Sequence, residues 1–570
     1  MPRLFPLGIP LNSLYDMISK KHILLGSLIV GKALFGLAQD SRPNIVFILT
    51  DDENVNTIGC YGNNVNTPNI DRLAEHGIRF TNANVVHTVC SPSRYAILTG
   101  RYYENNYHKD FLKDYPKGKA ACVGNSISLE DDRMNVASVL KQNGYNTGFV
   151  GKFHVGYHQF LGNNSRWEAG GLETYPKDAD PRVDAETNEK LKKNHQWWCK
   201  AIGKYGFDYV NGVYAANLRE LFNDYLNVHN VEWTADAAVD FIKKQQKEDD
   251  PFFLYVATTY PHGPAPERKV DGKYTVSLDT DPSLTGEGVV VKDKALKEKR
   301  RIAIKEAIKP GDDRTSPTAQ WWDDTVGKII DQLKKCGQYE NTLIVYTSDH
   351  GKMNHGKTTL YETGVHVPLI MHWPAKIKEA RTYDHVVGSV DYTPTILDIC
   401  SAKVPEAMKT DGVSLKSVLL GSDKPVREAL LLKMGYATGV KTDDWKYIAL
   451  RYPEDIENAI QKGEDFLGYR RERVAQPYYM LHKQLSQKAA NGNPHYFERN
   501  QLYRYKMDVK EDENLYKMNK DVAQKMHRVL QQQLEEVIPD RPFGEFVGDH
   551  KSEFLHLQET IEFPAFTDEN

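Results

Sequence analysis

The sequence predicts an α/β protein: a sheet covered by helices on both faces, with a smaller α+β part at the C-terminus. Three observations carry that reading. Four short apolar runs each end in a polar cluster, segments with helical periodicity and end signals lie between them, and the character of the chain changes after residue 420.

The runs are NIVFILT (44–50), YNTGFV (145–150), PFFLYVA (251–257) and NTLIVYTS (341–348). Continuous β-branched and aromatic stretches of this length read as strands buried on both faces. Between them, TPNIDRLAEHG (67–77) has Thr67 as N-cap, Pro68 at the first helical position and Gly77 past the end. DRMNVASVLKQNG (132–144) and WWDDTVGKIIDQLKKCG (321–337) are amphipathic and also stop at Gly. Strand–helix alternation of this kind predicts a sheet with helices on both faces, and ligands then sit beyond the carboxyl ends of the strands. After 420, GVKTDDWKYIALRY (439–452) alternates like an edge-of-sheet hairpin, 454–500 is polar, and DVAQKMHRVLQQQLEEV (521–537) is an amphipathic helix. No internal repeat is visible.

The 570 residues are 40% hydrophobic and 26% charged, with a formal net charge of −4. This balance gives no reason to expect nucleic acid as a partner, and a chain this long buries an ample core. Residues 17–40 carry Lys20 and Lys21, an apolar run and small residues before Ala38, the pattern of a leader peptide cut after Ala38. Residues 1–16 fit that pattern poorly, and Met17 is an alternative start. The expected organisation is a signal peptide over 1–38, a catalytic α/β domain over 39–420 and a C-terminal α+β subdomain over 421–570. The mature chain is expected to be exported, to the periplasm or beyond, without a stable membrane anchor. The six cysteines (60, 90, 122, 199, 336 and 400) show no framework spacing and no CxxC.

All four runs end in chemistry. The first leads to Asp51-Asp52, the second to Lys152 and His154, the third to His262 and the fourth to Asp349-His350. Three carboxylates on two strand ends repel one another unless a cation intervenes, and a hard divalent ion with oxygen ligands, Ca²⁺ or Mg²⁺, suits them better than zinc. His350 is a further ligand or only a neighbour. Taken alone, the Asp pair could equally be a turn or a helix cap. Lys152 and Lys357 with an arginine suit a tetrahedral oxyanion such as sulfate or phosphate. His154 and His262 could supply an acid and a base, although a lone histidine is more often structural. Cys90 poses a problem, because a soft thiolate matches a hard cation poorly and a hydroxyl-type nucleophile fits better.

Cys90-Ser91-Pro92-Ser93-Arg94 followed by Leu98-Thr99-Gly100-Arg101 resembles the signature of the type I sulfatases. The likeness runs from about 43 to about 535. It takes in NIVFILTDD, TIGCYGNNVNTPNIDRLAEHGIRFTNA, GYNTGFVGKFHVG, TSDHG, GKTTLYETGVHVPLI, VDYTPTILDI and the later WKYI and LYRYKMDVKEDENLY. The resemblance implies an alkaline-phosphatase-like large mixed sheet sandwiched by helices. It implies that a maturation enzyme, formylglycine-generating or anaerobic, oxidises Cys90 to formylglycine. It implies one Ca²⁺ held by Asp51, Asp52, residue 90, Asp349 and His350. The hydrated aldehyde would attack sulfur while Lys152 and Lys357 draw charge from the sulfate. His262 would protonate the leaving alcohol, His154 would take a proton so that sulfate is expelled, and Arg94 would orient the diol. His366 stands where the family often has Arg, and His355 lies close enough in sequence to face the sulfate.

The activity this implies is hydrolysis of sulfate esters, with a sulfated carbohydrate as substrate. Aromatic and basic stretches such as NEKLKKNHQWWCK (188–200) and FLKDYPKGK (111–119) could stack on sugars, though such aromatics are more often core. KDKALKEKRRIAIKEAIKP (292–310) is either a solvated helix face or an electropositive rim. Three other readings compete: a phosphatase or phosphodiesterase of the same superfamily, an inactive glycan-binding relative, and free-thiol catalysis by Cys90. CxPSR and the single apparent metal set favour the sulfatase.

Overall fold

The computed structural model describes residues 42–118, 121, 127–264, 267–270, 273–306, 317–352, 356–451, 492–496 and 498–540. The predicted leader, most of the polar 454–500 stretch, Cys122 and His355 lie outside them.

The central sheet has eight strands: β1 (Asn44–Thr50), β2 (Ile78–Phe80), β3 (Asn146–Lys152), β4 (Tyr209–Tyr214), β5 (Phe252–Ala257), β6 (Thr342–Ser348), β7 (Leu369–His372) and β8 (Arg381–Tyr383). Their spatial order is β8-β2-β7-β6-β1-β5-β3-β4. Strands β6, β1, β5, β3 and β4 run parallel, and β7 is antiparallel to both of its neighbours. The sheet is therefore mixed, as expected.

Both faces are covered because side chains alternate along each strand. Ile45, Phe47 and Leu49 join one core with Phe149, Tyr255 and Val345. That face packs against α2 (Cys90–Thr99), α3 (Val136–Gln142), α4 (Ala185–Gly203) and α8 (Tyr392–Ile399). Val46 and Ile48 join the other core with Val256 and Ile344. There the cover is α1 (Pro68–Glu75), α5 (Val231–Gln245) and α7 (Pro317–Lys335).

A second sheet of four antiparallel strands follows: β9 (Leu430–Met434), β10 (Ala437–Lys441), β11 (Lys446–Leu450) and β12 (Asn500–Tyr503). Helix α9 (Lys520–Val537) lays Ala523, Met526, Leu530 and Leu534 on it. The 439–452 segment is not an edge hairpin, since β10 and β11 are the inner strands. Its alternating polar residues are buried as ions instead. Lys441 and Lys446 are 0% exposed and bond Glu362 at 2.7 and 2.9 Å, while Lys446 also pairs with Glu511 at 2.5 Å.

Other expectations shift. The helix predicted over 132–144 starts at Val136, because Asn135 caps it through Ala137 N and Ser138 N. Thr67 holds the N-cap position of α1 but makes no capping bond. Asp323 of α7 does so, accepting from Asn69 N at 3.0 Å and Ile70 N at 2.8 Å. Residues 294–306 of the basic run form α6 (Lys294–Glu306), and five of its cations are paired. Lys294 pairs with Asp281 at 2.8 Å, Lys297 with Asp236 at 2.7 Å, Arg301 with Glu232 at 2.5 Å, and Arg300 and Lys305 with Asp324 and Asp279. These pairs suit the reading as a solvated helix face. Phe111 and Trp198 from the two aromatic stretches are core residues. Among the described residues no helix is long and apolar enough to cross a membrane.

Candidate active site

The parallel strands β1, β3, β5 and β6 deliver their carboxyl ends to one point. Asp51 and Asp52 follow β1, Lys152 ends β3, His262 lies on the loop after β5, and Asp349-His350 follow β6. Backbone bonds fix this convergence: Asp349 N donates to Thr50 O at 3.1 Å and Asp51 N to Tyr260 O at 3.0 Å. Gly151 lets β3 come in close. Its φ is +93°, and a Cβ there would stand 1.7 Å from Ala257 O. Asp52 and His154 also have positive φ, 67° and 56°, a costly conformation for residues with side chains and one that recurs at functional sites.

Cys90 opens α2, whose ten residues are all buried, so its side chain sits at the partly positive helix end. Its Sγ is 3.2 Å from His350 Nε2, 3.3 Å from Lys357 Nζ and 3.6 Å from Asp51 Oδ1. Arg94, one helical turn on, bonds Asp349 Oδ2 at 2.9 Å and the Lys152 carbonyl at 2.9 Å, and lies 3.3 Å from Asp51 Oδ2. Lys152 donates to Asp51 Oδ2 and to Asn217 Oδ1, the latter at 2.7 Å. Lys357 Nζ is 2.9 Å from Asp52 Oδ1. His262 Nδ1 is 2.8 Å from the Gly263 carbonyl and therefore carries its hydrogen. Its Nε2 faces Asp52 Oδ2 at 3.9 Å. Glu53, the third acid in the run, turns away and accepts the hydroxyls of Thr50, Thr57 and Tyr346.

The field is strong. Burial alone would raise the Cys90 thiol, but Lys152, Lys357 and His350 outweigh it and hold it well below the usual range, helped by a hydrogen bond from His154. Burial pushes His154 down to about 3, so its imidazole is neutral, and its Nδ1 is buried without a hydrogen-bond partner. Burial would lower His350 too, but Asp349 and Asp52 lift it to about 9.

The residues fit a hard divalent cation. Ligand atoms of Asp51, Cys90, Asp349 and His350 lie within 4.8 Å of one another, and so do those of Asp51, Asp52, Cys90 and His262. Asp52 Oδ2 is buried and has no hydrogen-bond partner, which leaves a carboxylate oxygen for a cation. His350 Nδ1 is 2.9 Å from the Gly351 carbonyl, an arrangement that reserves Nε2 for the carboxylates.

Every predicted site residue thus falls in one cluster: Asp51, Asp52, Cys90, Arg94, Lys152, His154, His262, Asp349, His350 and Lys357. His366 faces elsewhere, with Nδ1 3.7 Å from Glu362 in the ion group under the second sheet. Two contributors escape a reading of the sequence. Asn217 holds Lys152, and it follows a strand, YVNGVY, that Asn211 and Gly212 disguise. His229 sits behind His262, in a segment with no motif.

A buried cysteine at a helix end, flanked by acids, cations and two histidines beyond a mixed sheet, suits hydrolysis of a charged ester. The Sulfatase family profile matches residues 43–402, and the chain belongs to that family, in its type I formylglycine-dependent class. It is a sulfuric ester hydrolase. A second profile, N-sulphoglucosamine sulphohydrolase C-terminal, matches 349–491. The chain is 28% identical over 437 residues to an N-acetylglucosamine-6-O-sulfatase of Bacteroides thetaiotaomicron, covering 68% of this chain and 72% of the relative. It is 28% identical to human arylsulfatase A, covering 71% and 73%. A solved structure in complex with its substrate D-glucosamine-2-N,6-O-disulfate shares the fold at a TM-score of 0.53 and 21% identity, covering 88% and 99%.

Proposed function

We propose that this enzyme removes sulfate from a sulfated carbohydrate, using formylglycine made from Cys90 and one Ca²⁺ held by Asp51, Asp52, residue 90, Asp349 and His350. The observation that carries the reading is the position of Cys90 Sγ, within 3.2–3.6 Å of His350, Lys357 and Asp51 at once. The carbohydrate class is supported by the sugar substrates in the names of two of the proteins it resembles.

Bound calcium would supply positive charge to the sulfate oxygens and neutralise the carboxylates. Formylglycine would supply two geminal hydroxyls, one to attack sulfur and one whose proton loss releases sulfate. The chain's own residues do the rest. Lys152 and Lys357 place ammonium groups beside position 90 and draw charge from the ester as the S–O bond lengthens. His262 Nε2 protonates the departing alcohol oxygen. His154, neutral because it is buried, accepts a proton near position 90. Arg94 ties Asp51, Asp349 and the end of β3 into one frame. A maturation enzyme acts on Cys90, and the chain is exported after loss of 1–38, with catalytic and C-terminal parts meeting near 420.

The test is the intact mass of the peptide containing residue 90 in active enzyme, with sulfate release assayed on a panel of sulfated saccharides. An aldehyde in place of the thiol, with turnover of at least one sugar sulfate, is expected. An unmodified thiol in fully active enzyme rejects the mechanism.

A further inference from the structure

Behind the acid of the site stands a histidine that touches none of the cluster's carboxylates or cations. His229 is 0% exposed. It directly precedes Asn230, which caps α5 by accepting from Trp233 N, so the sheet-packed helix holds it firmly. Its Nε2 lies 2.9 Å from the His262 carbonyl and 3.0 Å from the Pro264 carbonyl. Carbonyls only accept, so Nε2 carries the hydrogen and shares it between them. Nδ1 then accepts, and the Thr259 hydroxyl donates to it at 3.0 Å. One ring therefore grips a loop at its beginning, middle and end, while His262 N closes the turn on Thr259 O at 3.1 Å.

We propose that His229 is a positioning residue for proton donation to the leaving group, its ring fixing the 259–264 loop so that His262 Nε2 is aimed into the cluster. This rests on the reading of His262 as the acid. Burial holds the ring down to about 4, so it stays neutral while the enzyme works and its hydrogen-bond pattern does not change. A leucine there would leave two loop carbonyls without their donor, and the loop would relax at the residue whose aim matters. A small displacement of an acid is enough to cost roughly 10²-fold in rate.

The experiment is a leaving-group series on the full-length matured enzyme, with ring-substituted phenyl sulfates from phenyl to nitrophenyl as probes. An acid matters most for a poor leaving group, whereas a general structural defect slows every ester alike. His262→Ala is expected to lose roughly 10² or more in kcat/KM on phenyl sulfate and much less on the nitrophenyl ester. His229→Leu is expected to show the same tilt at about one-tenth of the loss or more, and His229→Gln, which restores an N–H donor, to recover part of it. Should His229→Leu fail to fold, Thr259→Val, which removes the hydroxyl that orients the ring, takes its place with the same expected tilt. If His262→Ala shows no tilt, the acid assignment itself fails. If His262→Ala tilts but His229→Leu, or Thr259→Val in its place, slows all esters by one factor, His229 is merely structural and the proposal is overturned.

Discussion

Lys357 Nζ stands 3.3 Å from Cys90 Sγ although 267 positions separate the two in sequence. The same ammonium is 2.9 Å from Asp52, so it links Cys90 to the carboxylate group. Lys357→Met is expected to lower kcat for sulfate release by roughly 10²–10³-fold, measured well below the variant's own melting temperature because Asp52 loses a buried partner. A variant within threefold of wild type would remove Lys357 from the chemistry.

Calcium should stabilise as well as activate. Asp51, Asp52 and Asp349 are buried together, and they lean on Arg94, Lys152, Lys357 and His350. Stripping with a chelator should abolish turnover and lower the melting temperature. Calcium at a hundred times its dissociation constant should return about 2.7 kcal/mol. Calorimetry with and without the ion checks this, and an unchanged transition would count against the ligand set.

Stability should fall in mild acid. Burial holds seven histidines down: His87 and His154 to about 3, and His158, His195, His229, His366 and His372 to about 4. Between those values and 6.5 the unfolded chain takes up protons that these rings refuse when folded, so their contribution is full above 6.5 and is lost as pH drops toward 4, offset in part by Glu53, Asp323, Asp349 and Glu511, which burial raises to about 6–7 and which therefore gain stability as they protonate. His350, raised to about 9, works in the opposite sense at higher pH. Melting temperatures from pH 7 to 4 should trace the fall, and His195→Gln should make it shallower by one proton. A flat profile would contradict the buried neutral state.

The second sheet is docked through ions. Lys446 joins Glu362, five residues beyond Lys357, to Glu511 ahead of α9. Lys446→Met leaves two buried carboxylates short of a partner, and a loss of about 3–5 kcal/mol is expected. Denaturant unfolding measures it, and a change under 1 kcal/mol would mean the group is not a clamp.

The strand runs, their polar ends and the CSPSR motif were readable because each is a local pattern: apolar residues at strand spacing, and acids, lysines or histidines directly after them. The chemistry of the cluster followed, since strands of one parallel sheet must end on the same side. What stayed hidden is what sequence distance conceals. Asn217 bonds Lys152 from 65 residues away, and His229 grips a loop 30 and more residues on. The 439–452 segment reads as an edge hairpin because hydropathy cannot see Glu362 and Glu511 waiting opposite its lysines. Asp323 caps a helix some 250 residues upstream, a task that local rules assigned to Thr67. The sequence by itself determined which groups gather and what reaction class they serve. Only the tertiary structure decided which atoms hold them in aim, because hydrogen bonds between segments remote in sequence depend on the packed fold and leave no periodic trace in the chain.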